Sequence, residues 1–220
     1  MLNVLADFDA RAKEIDEYFD FIKAVLSADT SLSFMTDTSL TTSVGVTSGL
    51  HKTLKANGFL LIYNLVESTM SNAVEAIIEH LKNKGISFDD LNSKFKVVIL
   101  KNTRGHNPQS IEPLLSKIAH DLIQHTFKKE ELFSGNLDAR QIRETMKTYG
   151  IDKRHFVNGD CLLTIKDKRN ALAHGTISFA ECGKDYDIGD LIKFKDTAKA
   201  YLKGTINDIE HFLVNEGYRK

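Results

Sequence analysis

Proline occurs only twice in this 220-residue chain, at Pro108 and Pro113, so both helix breakers fall in one short stretch. A proline removes a backbone donor and clashes with the preceding turn, and its absence elsewhere leaves long helices permitted almost everywhere. The apolar pattern uses that freedom. Over residues 4–27, Leu5, Phe8, Ile15, Tyr18, Phe19, Ile22, Val25 and Leu26 recur at three- and four-residue intervals among acids and bases, which predicts an amphipathic first helix. Residues 50–83 carry the strongest helical pattern and close on Asn83-Lys84-Gly85. Residues 110–128 and 138–148 read as further helices, the second ending before Tyr149-Gly150. Asn158-Gly159-Asp160 offers N-cap chemistry for a helix over 160–174 that Gly175 is placed to end, and Asp187 can cap a last helix over 188–215.

Two stretches resist the helical period. From Asp29 to Gly49 the chain is rich in Ser and Thr, with Val44-Gly45-Val46 near its end, so an irregular loop or a short hairpin fits better than helix. In Leu91–Lys101 the apolar run gives no clean period, and helix and strand both stay open there; 91–109 is undetermined. The expected fold is an all-α antiparallel helical bundle with a Ser/Thr-rich loop. At 42% hydrophobic residues the chain can bury a real core, most simply as one domain over 1–220 with 29–49 as an irregular loop insertion.

The formal net charge of −1 argues against a protein that coats nucleic acid. The charge is uneven, however: residues 140–203 hold thirteen Lys or Arg against nine Asp or Glu. Cys161 and Cys182 lack metal-ligand spacing and read as reduced thiols of a cytoplasmic protein. No signal peptide begins at Met1 and no apolar run is long enough to span a bilayer, so no membrane partner is expected. The eight histidines form no metal-site spacing, and no cofactor is expected.

Within the basic stretch lies Arg169-Asn170-Ala171-Leu172-Ala173-His174-Gly175. At about 100° per residue, Arg169 projects from the middle of an apolar arc spanned by Leu162, Ile165, Leu172 and Ala173, where a leucine would be expected. A charge there needs a partner or a function. Glu67 sits likewise at the edge of the apolar sector of the 50–83 helix, with Asn64 and Ser71 about one turn to either side. Two opposite charges, each set against its own helix's pattern, suggest one another. Breaking such a pair, if buried, costs about 3–5 kcal/mol. His174 lies about 140° around the helix from Arg169 and about 7.5 Å along it, so the two flank a seam rather than share a face. A histidine in a last turn is also a favourable C-terminal cap when charged. Asn170, four residues before His174, can hydrogen-bond an imidazole or a phosphate.

This segment resembles the Arg-x4-His motif of the HEPN family, helical domains found in bacterial toxins, defence ribonucleases and RNA-processing enzymes. Lys55 to Met70, including Gly58-Phe59-Leu60-Leu61-Ile62-Tyr63-Asn64-Leu65-Val66-Glu67, then Gly135 to Glu144 and Lys168 to Phe179, are similar to the MAE-like stand-alone HEPN subgroup. The resemblance implies a HEPN-type bundle and a metal-independent endoribonuclease. Its catalytic residues would be Arg169 and His174, supported by Asn170, Glu67 and Asn64. A histidine near neutrality takes the 2′-hydroxyl proton while a cation stabilises charge on phosphate oxygens. HEPN ribonucleases pair two motif helices across a two-fold axis, so one motif in this chain implies a homodimer acting on RNA, with an antitoxin or defence-system partner. Lys166, Lys168, Lys153 and Arg154 are candidates for guiding the RNA backbone. Toxins of the branch silenced by tyrosine modification carry tyrosine two residues after the histidine; here that residue is Thr176, so this regulation is not implied. The alternatives are a non-catalytic HEPN module binding RNA, a nucleotide or a partner protein, and a purely structural dimerisation domain. The latter leaves the ionisable pair unexplained.

Overall fold

A computed structural model describes residues 1–26, 31–35, 41–102, 132–133 and 135–220. The expected helix over 110–128 lies outside the described residues, as do His106, His120 and His125. Helix α1 (Leu2–Leu26) buries Val4, Phe8, Ala12, Ile15, Phe19, Ile22 and Val25, one stripe at three- and four-residue steps. Helix α2 (Ser48–Asn83) starts where the Thr47 hydroxyl accepts the Leu50 N–H. At 36 residues it is about 54 Å long, and it is the centre of the bundle. A central helix must be apolar on several sides, and α2 buries Phe59, Ile62, Tyr63, Val66, Met70, Val74, Ile77 and Leu81. Between them the chain forms β1 (Ser31–Met35) and β2 (Thr41–Gly45), antiparallel with Ser31 opposite Gly45. Of the two options for 29–49, the described residues adopt the hairpin and correct the expected irregular loop.

Leu91–Lys101 is settled as helix α3 (Ser93–Asn102). Phe95, Val98 and Ile99 are buried while Val97 and Leu100 stay exposed, so apolar residues on the outer face hid the helical period. Helix α4 (Ala139–Tyr149) is capped by the Asp138 carboxylate, which accepts from the Gln141 N–H, and ends at Gly150 with φ 77°. Helix α5 (Cys161–Ala173) carries the arginine–histidine segment. Its N-terminus corrects the expected cap: Asp160 is already helical and makes no capping bond, its carboxylate accepting instead from Asn158 Nδ2. Helix α6 (Phe179–Lys184), opened by a Ser178/Glu181 capping box, had no sequence expectation. Helix α7 (Ile188–Val214) begins with a second capping box, Asp187/Asp190.

The layout follows from which faces are apolar. Helices α1, α5, α6 and α7 all pack on α2, α7 also touches α1 and α5, and α3 packs on α4. The α2–α6 contact is backbone-close, because a Cβ on Gly183 would lie 1.9 Å from the Lys52 carbonyl oxygen. The C-terminus folds back on the start of α3, where the Asn92 N–H donates to the Tyr218 carbonyl. Among the described residues no helix is long and apolar enough to cross a membrane.

Candidate active site

Helix α5 buries Leu162, Ile165 and Leu172, and Arg169 shares that face. Its guanidinium does not sink into the core. It lies over the Tyr63 ring, with Cζ 4.6 Å from the ring centre, and its side chain keeps 27% of its surface exposed. Cation–π contact with a buried ring contributes about 0.5–2 kcal/mol. Nη1 donates to Asn170 Oδ1 at 3.0 Å, and Asn170 Nδ2 donates to Asn136 Oδ1 at 3.2 Å. Asn170 is therefore engaged with Arg169 and Asn136, not with His174 as its position on the helix suggested. Glu67 approaches Arg169 Nη2 at 3.9 Å, outside hydrogen-bond range, with 28% of its side chain exposed.

The turn before α4 forms the remaining wall. Gly135 has φ 74°, and a Cβ there would lie 3.0 Å from Arg169 Nη1. Leu137 donates its N–H to the Tyr63 hydroxyl at 3.1 Å, so one tyrosine ties α2, this turn and the guanidinium together. Burial is the main cause that pushes the Tyr63 phenol up, and it stays a neutral hydroxyl. Asp138 accepts from Lys166 Nζ at 2.8 Å as well as capping α4. Burial works against its charge, but these hydrogen bonds win and hold the carboxyl below its usual range. The Asp138 bond in turn pushes Lys166 up.

His174 is the C-cap of α5 and is exposed. A Schellman turn holds its backbone: Gly175, at φ 67°, donates to the Leu172 carbonyl, and Thr176 donates to that of Ala171. Ala173 is exposed at this last turn, where the chain leaves the helix, and does not belong to the apolar arc assigned to it.

The basic residues divide. Lys166 and Lys168 lie on α5, Lys166 bound to Asp138 and Lys168 5.2 Å above the Tyr186 ring. Lys153 and Arg154 lie in the loop before α5, away from the Arg169 cluster; Lys153 Nζ donates to the Val157 carbonyl and the Arg154 N–H to Asp208. Asn64 is exposed on α2. Both cysteines are free, and burial pushes the Cys161 thiol up to about 11, unsuited to a nucleophile. Among the described residues no three His, Cys, Asp or Glu side chains cluster as metal ligands.

Tyr63, Gly135, Asn136 and Asp138 escaped the sequence-based site. Their signals were present: a tyrosine in an apolar sector needs a hydroxyl partner, and Gly-Asn-Leu-Asp before a helix is turn and cap chemistry.

The family model described as MAE_28990-like HEPN matches residues 2–218, and the chain belongs to that family. No curated protein and no solved structure matches the chain.

Proposed function

We propose that this chain is a metal-independent endoribonuclease of toxin or antiviral-defence type, whose composite site forms when two copies bring their α5 helices together across a two-fold axis. The observation that carries this reading is the Arg169 guanidinium: Tyr63, Asn170 and the Gly135 turn hold it in place, yet its side chain stays partly open to solvent. Preorganised cations of this kind stabilise charge that develops on phosphate oxygens. Membership in the HEPN family supports RNA as the substrate class.

In this mechanism His174 takes the 2′-hydroxyl proton, the 2′-oxygen attacks the adjacent phosphorus, and the bond to the 5′-oxygen breaks. The products are a 2′,3′-cyclic phosphate and, once the leaving oxygen is protonated, a 5′-hydroxyl. Arg169 stabilises the phosphate oxygens, Asn170 and Glu67 position it, Asn64 lies on the neighbouring α2, and Lys166, Lys168, Lys153 and Arg154 guide the backbone. The test is RNA digestion in chelator by the full chain and by His174→Ala, with sedimentation of both. Cleavage by the parent, loss in the variant and a dimer at micromolar concentration support the proposal; full activity in His174→Ala, strict magnesium dependence or a monomer would overturn it. The second reading is a non-catalytic module binding RNA, a nucleotide or a partner protein. It draws on the packing role of the Arg169–Tyr63 stack between α5 and α2, and it gains if RNA is bound but never cut.

A further inference from the structure

A cleft of about 200 Å³, partly open to solvent, lies between the C-terminal half of α4, the loop from Gly150 and the middle of α7. Its floor is apolar and buried, made by Met146, Ile151 and Tyr201. Its edges carry Lys94, Arg143, Lys147 and Lys153, all exposed. Two carboxylates also line it. Asp152 is exposed, whereas Asp208 is buried and already accepts the Arg154 N–H at 3.1 Å beside His155. Four cations therefore ring a concave apolar surface whose inner carboxylate is taken up by its own neighbours.

Local backbone chemistry builds this shape. Gly150, at φ 77°, ends α4, and a Cβ there would lie 3.1 Å from Lys94 Cδ, so the glycine lets the lysine stem close over one edge. On the opposite edge the Lys153 ammonium sits 5.5 Å from the centre of the Tyr201 ring. Scattered surface lysines merely solubilise a protein, but cations around a low-dielectric hollow focus a positive field into it. Small-molecule sites share this chemistry, a mostly apolar hollow with a few convergent polar groups, and the size here suits a small ligand. The cleft shares no residue with the Arg169 cluster, although Tyr201, which lines it, reaches the first turn of α4 by donating its hydroxyl to the Ala139 carbonyl at 3.4 Å.

We propose that this cleft binds a small organic anion, a phosphate or carboxylate with an apolar body, the charge held by Arg143 and Lys147 and the body laid on Met146, Ile151 and Tyr201. Of the residues assigned to the ribonuclease reading only Lys153 lines this cleft, and because Arg143 and Lys147 hold the charge the proposal does not rest on that reading. Both parts of the ligand are required: the anion alone finds only exposed cations, and the apolar body alone leaves the field of the rim unused.

Calorimetric titration of the full chain tests it with three probes: 1-naphthyl phosphate, inorganic phosphate and 1-naphthol. Naphthyl phosphate is expected to bind about tenfold or more tightly than either fragment, with an affinity that falls as salt rises. Because Arg143 and Lys147 are exposed, the double variant Arg143→Gln/Lys147→Gln keeps the fold and should weaken naphthyl phosphate about tenfold or more. Slowed amide exchange over residues 150–155 on binding would locate the ligand. No binding at about 1 mM naphthyl phosphate, equal binding by naphthol, unchanged affinity in the double variant, or protection elsewhere would each overturn the proposal.

Discussion

Arg169 rests on the Tyr63 ring at 4.6 Å, with Gly135 at its side and Glu67 3.9 Å away. His155 meets the Tyr201 ring at 4.8 Å, with Gly204 at its side and Asp208 3.8 Å away. A tyrosine, a glycine and a carboxylate hold a nitrogenous side chain in both places, yet the outcomes differ. The side chains of His155 and Asp208 are 11% and 5% exposed, against 27% and 28% for Arg169 and Glu67. His155 Nδ1 is buried with no hydrogen-bond partner among the described residues, which favours the neutral ring with its proton on Nε2, toward Thr205 and Asp208. The same parts bury the side chain in one place and leave it partly open to water in the other.

The sharpest way to break this comparison is activity. Arg169→Lys and His174→Ala should each lower RNA cleavage by about 10²–10⁴, because a point charge cannot reproduce the planar guanidinium and alanine removes the proposed base. His155→Gln should leave the cleavage rate of the folded protein unchanged. A comparable loss there would place the closed cluster in the chemistry and erase the distinction.

The two glycines separate the clusters by activity rather than by stability. A Cβ on Gly204 would lie 2.5 Å from His155 Cγ, so Gly204→Ala must displace the ring, at about 1–3 kcal/mol, offset by about 1 kcal/mol from the better helix propensity of alanine. Gly135→Ala meets only the tip of Arg169 at 3.0 Å, but its φ of 74° costs about 1–2 kcal/mol. Thermal unfolding should therefore show similar losses for both, whereas cleavage by the folded protein should fall only in Gly135→Ala. A loss of cleavage in Gly204→Ala alone would mean that Arg169 is the packed group and His155 the available one.

Acid should act on the closed cluster. Burial is the main cause holding His155 below its ordinary value of about 6.5, Lys153 adding to it and Asp208 opposing it. The unfolded chain then binds a proton that the folded chain refuses, so stability is complete above about pH 6.5 and falls as pH drops through the folded value. His80 is lowered too, first by burial, and contributes in the same window. His155→Gln should flatten the pH dependence of unfolding below about 6.5 by up to one proton, and His80→Gln should remove a separate part. An unchanged slope in His155→Gln would show that its ring is already open to water.

How far these clusters can be read from the chain depends on distance along it. The stripes of α1, α2 and α7 were legible because each long helix repeats its pattern over many turns. Helix α3 was not, since Val97 and Leu100 are apolar and exposed, and the six residues of α6 are too few to show a period. Arg169 announced itself as a charge inside an apolar arc. Its cradle did not: Tyr63 counts as one more apolar residue of α2, and Gly135 acts on a residue far away in sequence, a contact that only the packing of α5 on α2 creates.

Glu67→Gln is expected to have the smallest effect, and it tests the comparison most finely. The sequence pattern alone suggested a buried pair whose rupture costs about 3–5 kcal/mol. At 3.9 Å, with more than a quarter of each side chain exposed, water screens the attraction and no direct hydrogen bond is made. The expected cost is about 1 kcal/mol or less, read by denaturant unfolding, with cleavage within a factor of about five. Glutamine keeps the shape of the side chain, so the substitution removes charge and little else. A loss of about 3 kcal/mol or more would mean that the pair closes in solution. Arg169 would then be a buried structural cation like His155 is a buried structural ring, and the open edge on which the ribonuclease proposal rests would be gone.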